Sequence, residues 1–254
     1  MTLLLHSLRS EFRKTKRTAS WAFALFAALF VPAIFMLVGF GTDGVDPQTM
    51  KDPWRSMLSK GFMIFGGAVL PLFTILCATL LPQIEYRNDT WKQVRITPQS
   101  PLRLFTVKYL QLLLMVTLVL VLFNALLFVA AGYLQWREPA IALGKRSFDW
   151  AYWLRLNGNL FTSILGLVSV QFFLGIRFRN FLVPVGVGFL LWVLGMMLLF
   201  DLHSSIGGYI PHVYPLANTM ADPESTWVME RAGSLAYFAV FLLAAFYDFK
   251  RRKF

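Results

Sequence analysis

The chain has 254 residues, of which 57% are hydrophobic and 15% charged, and it carries a net charge of +11. Soluble domains carry about 25% charged residues, and burial in a soluble core could not absorb this much apolar side chain. The composition, with a mean hydropathy of +0.59, excludes a soluble enzyme and predicts one all-α polytopic membrane domain over residues 1–254. A single cysteine, Cys77, leaves no disulfide framework and no cysteine-rich metal site within one chain.

At the N-terminus, Leu4, Leu8 and Phe12 recur at i, i+4 and i+8, with Arg9, Arg13, Lys16 and Arg17 on the remaining surface. That is the pattern of an amphipathic helix lying in the membrane interface, expected over residues 1–18. The other reading is a basic leader that only fixes topology. A six-helix bundle follows over residues 19–248, and residues 249–254 form a basic tail. A hydrocarbon core of about 30 Å takes about 20 helical residues. Six apolar runs meet that need: Ala19 to Phe40, Gly61 to Ile84, Phe105 to Tyr133, Leu160 to Ile176, Phe181 to Phe200 and Gly233 to Tyr247. The first exceeds the roughly 7–15 residues of a signal-peptide core and is expected to be retained. The runs lack the alternation of barrel strands. Pro32, Pro71 and Pro184 are expected to kink their helices.

Of the 24 Lys and Arg residues, 16 fall on the side shared by both termini, whose net charge is +12 against −1 on the other. The positive-inside rule places both termini in the cytoplasm, in a bacterial inner membrane. Topology and contact with anionic lipid account for the basicity, and no aromatic-basic platform for nucleic acid is visible.

The connection between the second and third runs, Ile84 to Pro101, is longer than a hairpin between spans needs. It has room for about three helical turns before Pro98 stops them. Ser100 followed by Pro101 reads as an N-cap with proline at the first helical position, a rigid start for the third helix. Glu85, then Asn88-Asp89-Thr90-Trp91-Lys92, then Pro98, Ser100 and Lys108 make this stretch resemble the type-2 ABC exporter permeases, in particular the bacitracin-resistance and lantibiotic-immunity type. The resemblance implies a cytoplasmic coupling helix in which Glu85, Arg87, Asn88, Asp89, Thr90, Trp91 and Lys92 meet a separate ATPase subunit, with Pro98, Ser100, Pro101 and Lys108 as its junction to span three. It also implies a second permease copy or paralogue. ATP and magnesium would be bound by the partner, leaving no cofactor in this chain. Trp91 has a second reading, as an interfacial belt residue touching headgroups.

Between the last two spans, Gly207, Gly208, Pro211 and Pro215 interrupt two weakly apolar stretches too short to cross a bilayer. Re-entrant half-helices explain them where protein covers their backbone, and the family resemblance implies such an outer pair; a plain solvated loop stays open. Catalytic patterns are weak. No Gly-x-x-x-x-Gly-Lys-Ser/Thr loop occurs, and His6, His203 and His212 are too scattered for a zinc helix. Thr74, Thr79, Asn124, Thr162, Ser163 and Gln171 lie at membrane depth. Asn124, Thr162, Ser163 and Gln171 are candidates for a substrate path, although helix-to-helix hydrogen bonding accounts for such residues more often. No carboxylate lies in mid-membrane, which counts against a proton- or sodium-driven carrier. The expected function is the permease subunit of an ATP-driven exporter of an amphiphile, a peptide antibiotic or a lipid. The alternative is a non-transporting scaffold or sensor that docks a cytoplasmic partner through residues 85–96.

Overall fold

A computed structural model describes residues 2–16, 18–39, 51–87, 100–141, 143–220 and 228–251. Among them there are helices and no strands: α1 (Thr2–Thr15), α2 (Ala19–Val38), α3 (Pro53–Ile64), a π-helical segment (Phe65–Val69), α4 (Leu70–Arg87), α5 (Pro101–Arg137), α6 (Trp150–Arg177), α7 (Leu182–Phe200), α8 (Tyr214–Met220) and α9 (Val228–Arg251). Six of these helical stretches are long and apolar enough to span a membrane. They are α2, the continuous run from α3 to α4, α5, α6, α7 and α9, here called spans one to six.

Spans two, three, four and six outrun the apolar windows read from sequence. Hydropathy marks only the hydrocarbon-embedded part, whereas local capping sets the helix ends. Asp52 accepts from the Arg55 N–H, with Pro53 at the first position. Ser100 accepts from the Arg103 N–H with Pro101 behind it, and Asp149 from the Tyr152 N–H. Each oxygen satisfies one of the orphan donors of a helix start. Span three, at 37 residues, is about 55 Å long and so projects well beyond the hydrocarbon core.

Span two carries the main irregularity. Pro71 has no N–H for the Gly67 carbonyl one turn back, and the π-helical segment widens the backbone just before it. The freed carbonyl is taken up by span five, where the Trp192 indole Nε1 donates to Gly67 O at 2.8 Å. Pro184, by contrast, falls in the first turn of span five. Its missing N–H would be unsatisfied there in any case, so the kink expected from it is replaced by a helix start.

Spans two and four form the centre, with 67% of their apolar windows buried against 17% for spans five and six. Phe65 stacks on Phe123 at 3.9 Å between ring centroids, and Phe62 meets the same ring edge-on at 5.3 Å. Span four lies against span six through Ser234, whose hydroxyl accepts from the Gly166 N–H at 2.9 Å and donates to the Thr162 carbonyl at 2.7 Å.

The connection from span five to span six contains a 3-10 turn (Ser205–Tyr209) and α8. Leu216 of α8 sits over Gly67, where a Cβ would come within 2.9 Å of its Cδ1. His212, just before α8, is fully buried, and neither ring nitrogen has a hydrogen-bond partner among the described residues. Burial pushes this imidazole down to about 4. A protein that unfolds takes up a proton there below about 6.5 while the folded form does not. The contribution of His212 to stability is therefore intact above pH 6.5 and lost as pH falls toward 4, by about 3 kcal/mol in full. Melting in detergent should show this loss, and His212→Phe should remove that share of it; an unchanged acid profile in the variant would contradict the burial argument.

Candidate functional site

The base of the connection between spans two and three is closed by a buried cluster of charges. Glu85 lies in the last turn of span two and Lys108 in the second turn of span three, respectively 1% and 5% exposed. Lys108 Nζ donates to Glu85 Oε1 at 2.5 Å and to Glu11 Oε2 of α1 at 2.9 Å. Lys14, one turn along α1, donates to the other Glu11 oxygen and to Glu85 Oε1 at 3.3 Å. Two cations thus face two carboxylates, and the N-terminal helix is fastened to both ends of the loop at once. Buried ions persist only when paired and hydrogen-bonded, because each costs several kcal/mol to desolvate.

Helix periodicity puts these groups together. Glu11 and Thr15 are one turn apart and form the buried side of α1, while Arg9, Arg13 and Lys16 are exposed. Phe12 reaches the Trp21 ring at 6.4 Å and steers the helix onto the start of span one. Burial alone would raise the Glu11 carboxyl, but the Lys108 and then the Lys14 ammonium outweigh it and hold it below its usual value.

Further ties surround the cluster. Tyr86 donates its hydroxyl to the Ile176 carbonyl at 2.5 Å, and Gln83 Nε2 donates to the Phe178 carbonyl at 3.3 Å, linking the end of span two to the turn between spans four and five. Arg177, the last residue of span four, donates to Asp248 of span six at 2.6 Å. Directional polar contacts thus tie the loop's base to α1 and to spans three and four, and span four in turn to span six.

Of the residues that sequence reasoning singled out, Glu85, Ser100, Pro101 and Lys108 frame this base, and Arg87 is exposed at the end of span two. Asn88, Asp89, Thr90, Trp91, Lys92 and Pro98 lie outside the described residues. The membrane-depth candidates are not gathered in one place. Asn124 Nδ2 donates to Asn157 Oδ1 at 2.8 Å, and Asn124 Oδ1 accepts from the Trp153 indole at 2.7 Å, clamping span three to span four. Thr162 and Ser163 donate to carbonyls of their own helix. Gln171 donates to the Pro184 carbonyl at 2.6 Å, while its Oε1 is buried without a partner among the described residues. Thr74 and Thr79 each donate to the carbonyl four residues back. Glu11 and Lys14 were missed as site residues. The signal was present, because Glu11 is the sole acid in a leader with five basic residues. Among the described residues no group of three metal-binding side chains occurs.

The family model for ABC-2 family transporter proteins matches residues 7–195, and the chain belongs to that family. It is accordingly an integral membrane ABC transporter component whose family works with an ABC ATPase. No curated protein matches the sequence.

Proposed function

We propose that this chain is the permease of an ATP-driven exporter and that residues 85–96 form the element on which a separate ATPase subunit docks. The observation that carries the reading is the buried Glu11–Lys108–Glu85–Lys14 cluster at the base of that loop. A loop with no mechanical role needs no such expensive anchorage, whereas one pushed from outside must pass force to the spans without melting. In this reading both termini are cytoplasmic, in a bacterial inner membrane. Two permeases, identical or paralogous, combine with two ATPase subunits that hold ATP and magnesium. The short elements between spans five and six re-enter the outer leaflet. The cargo is an amphiphile, a peptide antibiotic or lipid, as in the bacitracin-resistance and lantibiotic-immunity type that the loop resembles.

The test is co-purification of the tagged chain from its native membrane in mild detergent, with mass spectrometry of the retained partner. The expected result is a phosphate-loop ATPase retained by the wild type and lost on Trp91→Ala. A hot-spot aromatic is worth roughly 2 kcal/mol or more, about a thirtyfold fall in affinity. Retention of the same ATPase at wild-type level in Trp91→Ala would remove the docking assignment. Orientation has its own check: cysteines at Gln93 and Ser225 should react with impermeant maleimide from opposite sides, and labelling from one side would overturn the topology.

A further inference from the structure

Span two is divided by its π-helical segment (Phe65–Val69) into an N-terminal half, α3, and a C-terminal half, α4. The Leu70 N–H reaches back five residues to the Phe65 carbonyl, where an α-helix would reach four. Pro71 brings no N–H to the Gly67 carbonyl, and Gly66 and Gly67 bring no side chains. The hydrogen-bond ladder that makes a helix one stiff rod is therefore weakest at this joint, and π-bulges, glycine and proline are where helices bend. The donor missing from the ladder is supplied by another span: the Trp192 indole of span five meets the Gly67 carbonyl at 2.8 Å.

Packing around the joint is one-sided. Phe65 is stacked on Phe123 of span three, and a Cβ at Gly66 would come within 3.0 Å of Leu160 Cδ1 of span four and of the Pro215 carbonyl. Toward span five, by contrast, lies an open recess of about 340 Å³, bounded by Met63 and Ile64 of α3, by Ala68, and by Met196 and Phe200 of span five. Trp192, Met196 and Phe200 recur at i, i+4 and i+8, so the indole and the far wall of the recess share one face of span five. An apolar trough on the span-one side is lined on span two by residues from Ala68 onward and borders no residue of α3. The room for α3 to move is thus toward span five, and each wall there carries a flexible methionine.

From this arrangement we infer that span two is a latched hinge. The Trp192–Gly67 bond holds α3 in its present position, and release of the indole lets α3 swing about residues 65–69 toward span five and close the recess. The hinge belongs to the chain itself and stands whether or not an ATPase docks on residues 85–96.

The experiment combines Met63→Cys with Met196→Cys, on opposite walls of the recess, in the full-length chain in native membranes; Cys77 is buried and is left in place. Copper-phenanthroline oxidation is followed over time, and the linked peptides are identified by mass spectrometry. Trp192→Phe, which keeps a ring and removes the indole donor, should speed formation of the disulfide within one chain about fivefold, the population shift carried by one net hydrogen bond. Adding Pro71→Ala restores an N–H for the Gly67 carbonyl and should return the rate to that of the parent pair. An unchanged rate in Trp192→Phe would overturn the latch. A fast rate that persists with Pro71→Ala would overturn the hinge, because span five rather than span two would then be moving. Disulfides joining two copies of the chain would overturn the proposal in favour of a contact between copies at the recess.

Discussion

Lys108→Met should be strongly destabilising, the largest effect expected of any single side-chain truncation among the described residues. Removing the ammonium leaves Glu11 and Glu85, both buried, sharing only Lys14, which is part-exposed and already spans both. Breaking a buried ion pair from one side costs roughly 3–5 kcal/mol, against a total stability of about 5–15 kcal/mol for a domain. Lys108→Met with Glu85→Gln should recover most of the loss, since the surviving Glu11–Lys14 pair is one turn apart on a single helix. Monodisperse yield and melting temperature in one detergent measure both variants. Equal stability of the single and double variants would show that the cluster does not act as a unit. The sign of the pH dependence follows from Glu11, whose value is lowered by Lys108 and Lys14 in spite of burial. Its stabilising contribution is present above the ordinary carboxylate value near 4.5 and is lost as pH falls through the lowered one. In Lys108→Met this acid sensitivity should shrink.

The second large effect is at Gly175, where span four meets span two backbone to backbone. A Cβ there would be driven onto the Ala78 carbonyl, within 3.2 Å of its carbon and 3.4 Å of the Thr79 Cα. Neither partner is a side chain that can swing aside, and the adjacent Tyr86–Ile176 and Gln83–Phe178 bonds prevent the helices from simply parting. Gly175→Ala should cost about 1–3 kcal/mol, the range for overpacking a tight interface, and Gly175→Val should not fold. Gly132 and Gly158 have nothing within 4 Å of a Cβ, so alanine at either should be neutral or slightly stabilising, given the roughly 1 kcal/mol helix preference for alanine over glycine. Thermal melting of the four variants side by side separates the cases. A Gly175→Ala protein as stable as Gly132→Ala would mean that the close approach is not a constraint.

The helical class, the six spans and the Ser100–Pro101 helix start were legible because each depends on a short stretch of chain: about 20 apolar residues, or a cap followed by proline. Glu85 and Lys108 were legible as loop-flanking residues, but not as partners. Their pairing, and the involvement of Glu11 across 97 residues of sequence, requires α1 to fold back onto the entry of span three. The capture of the Gly67 carbonyl by Trp192 bridges 125 residues and is equally invisible beforehand. The contacts of Asn124 with Asn157 and Trp153 of span four were equally invisible in sequence.

One physical reason separates what sequence determined from what tertiary structure decided. In water, hydrophobicity marks the face of a helix that will be buried, because solvent and core differ. In a bilayer the surroundings are as apolar as the core, so apolar residues state only that a helix spans, not which side packs against its neighbours. Sequence therefore determined that six helices are long and apolar enough to cross. Small residues, buried polar pairs and a proline-freed carbonyl decided how they assemble, and each of these acts only once two distant segments are in contact.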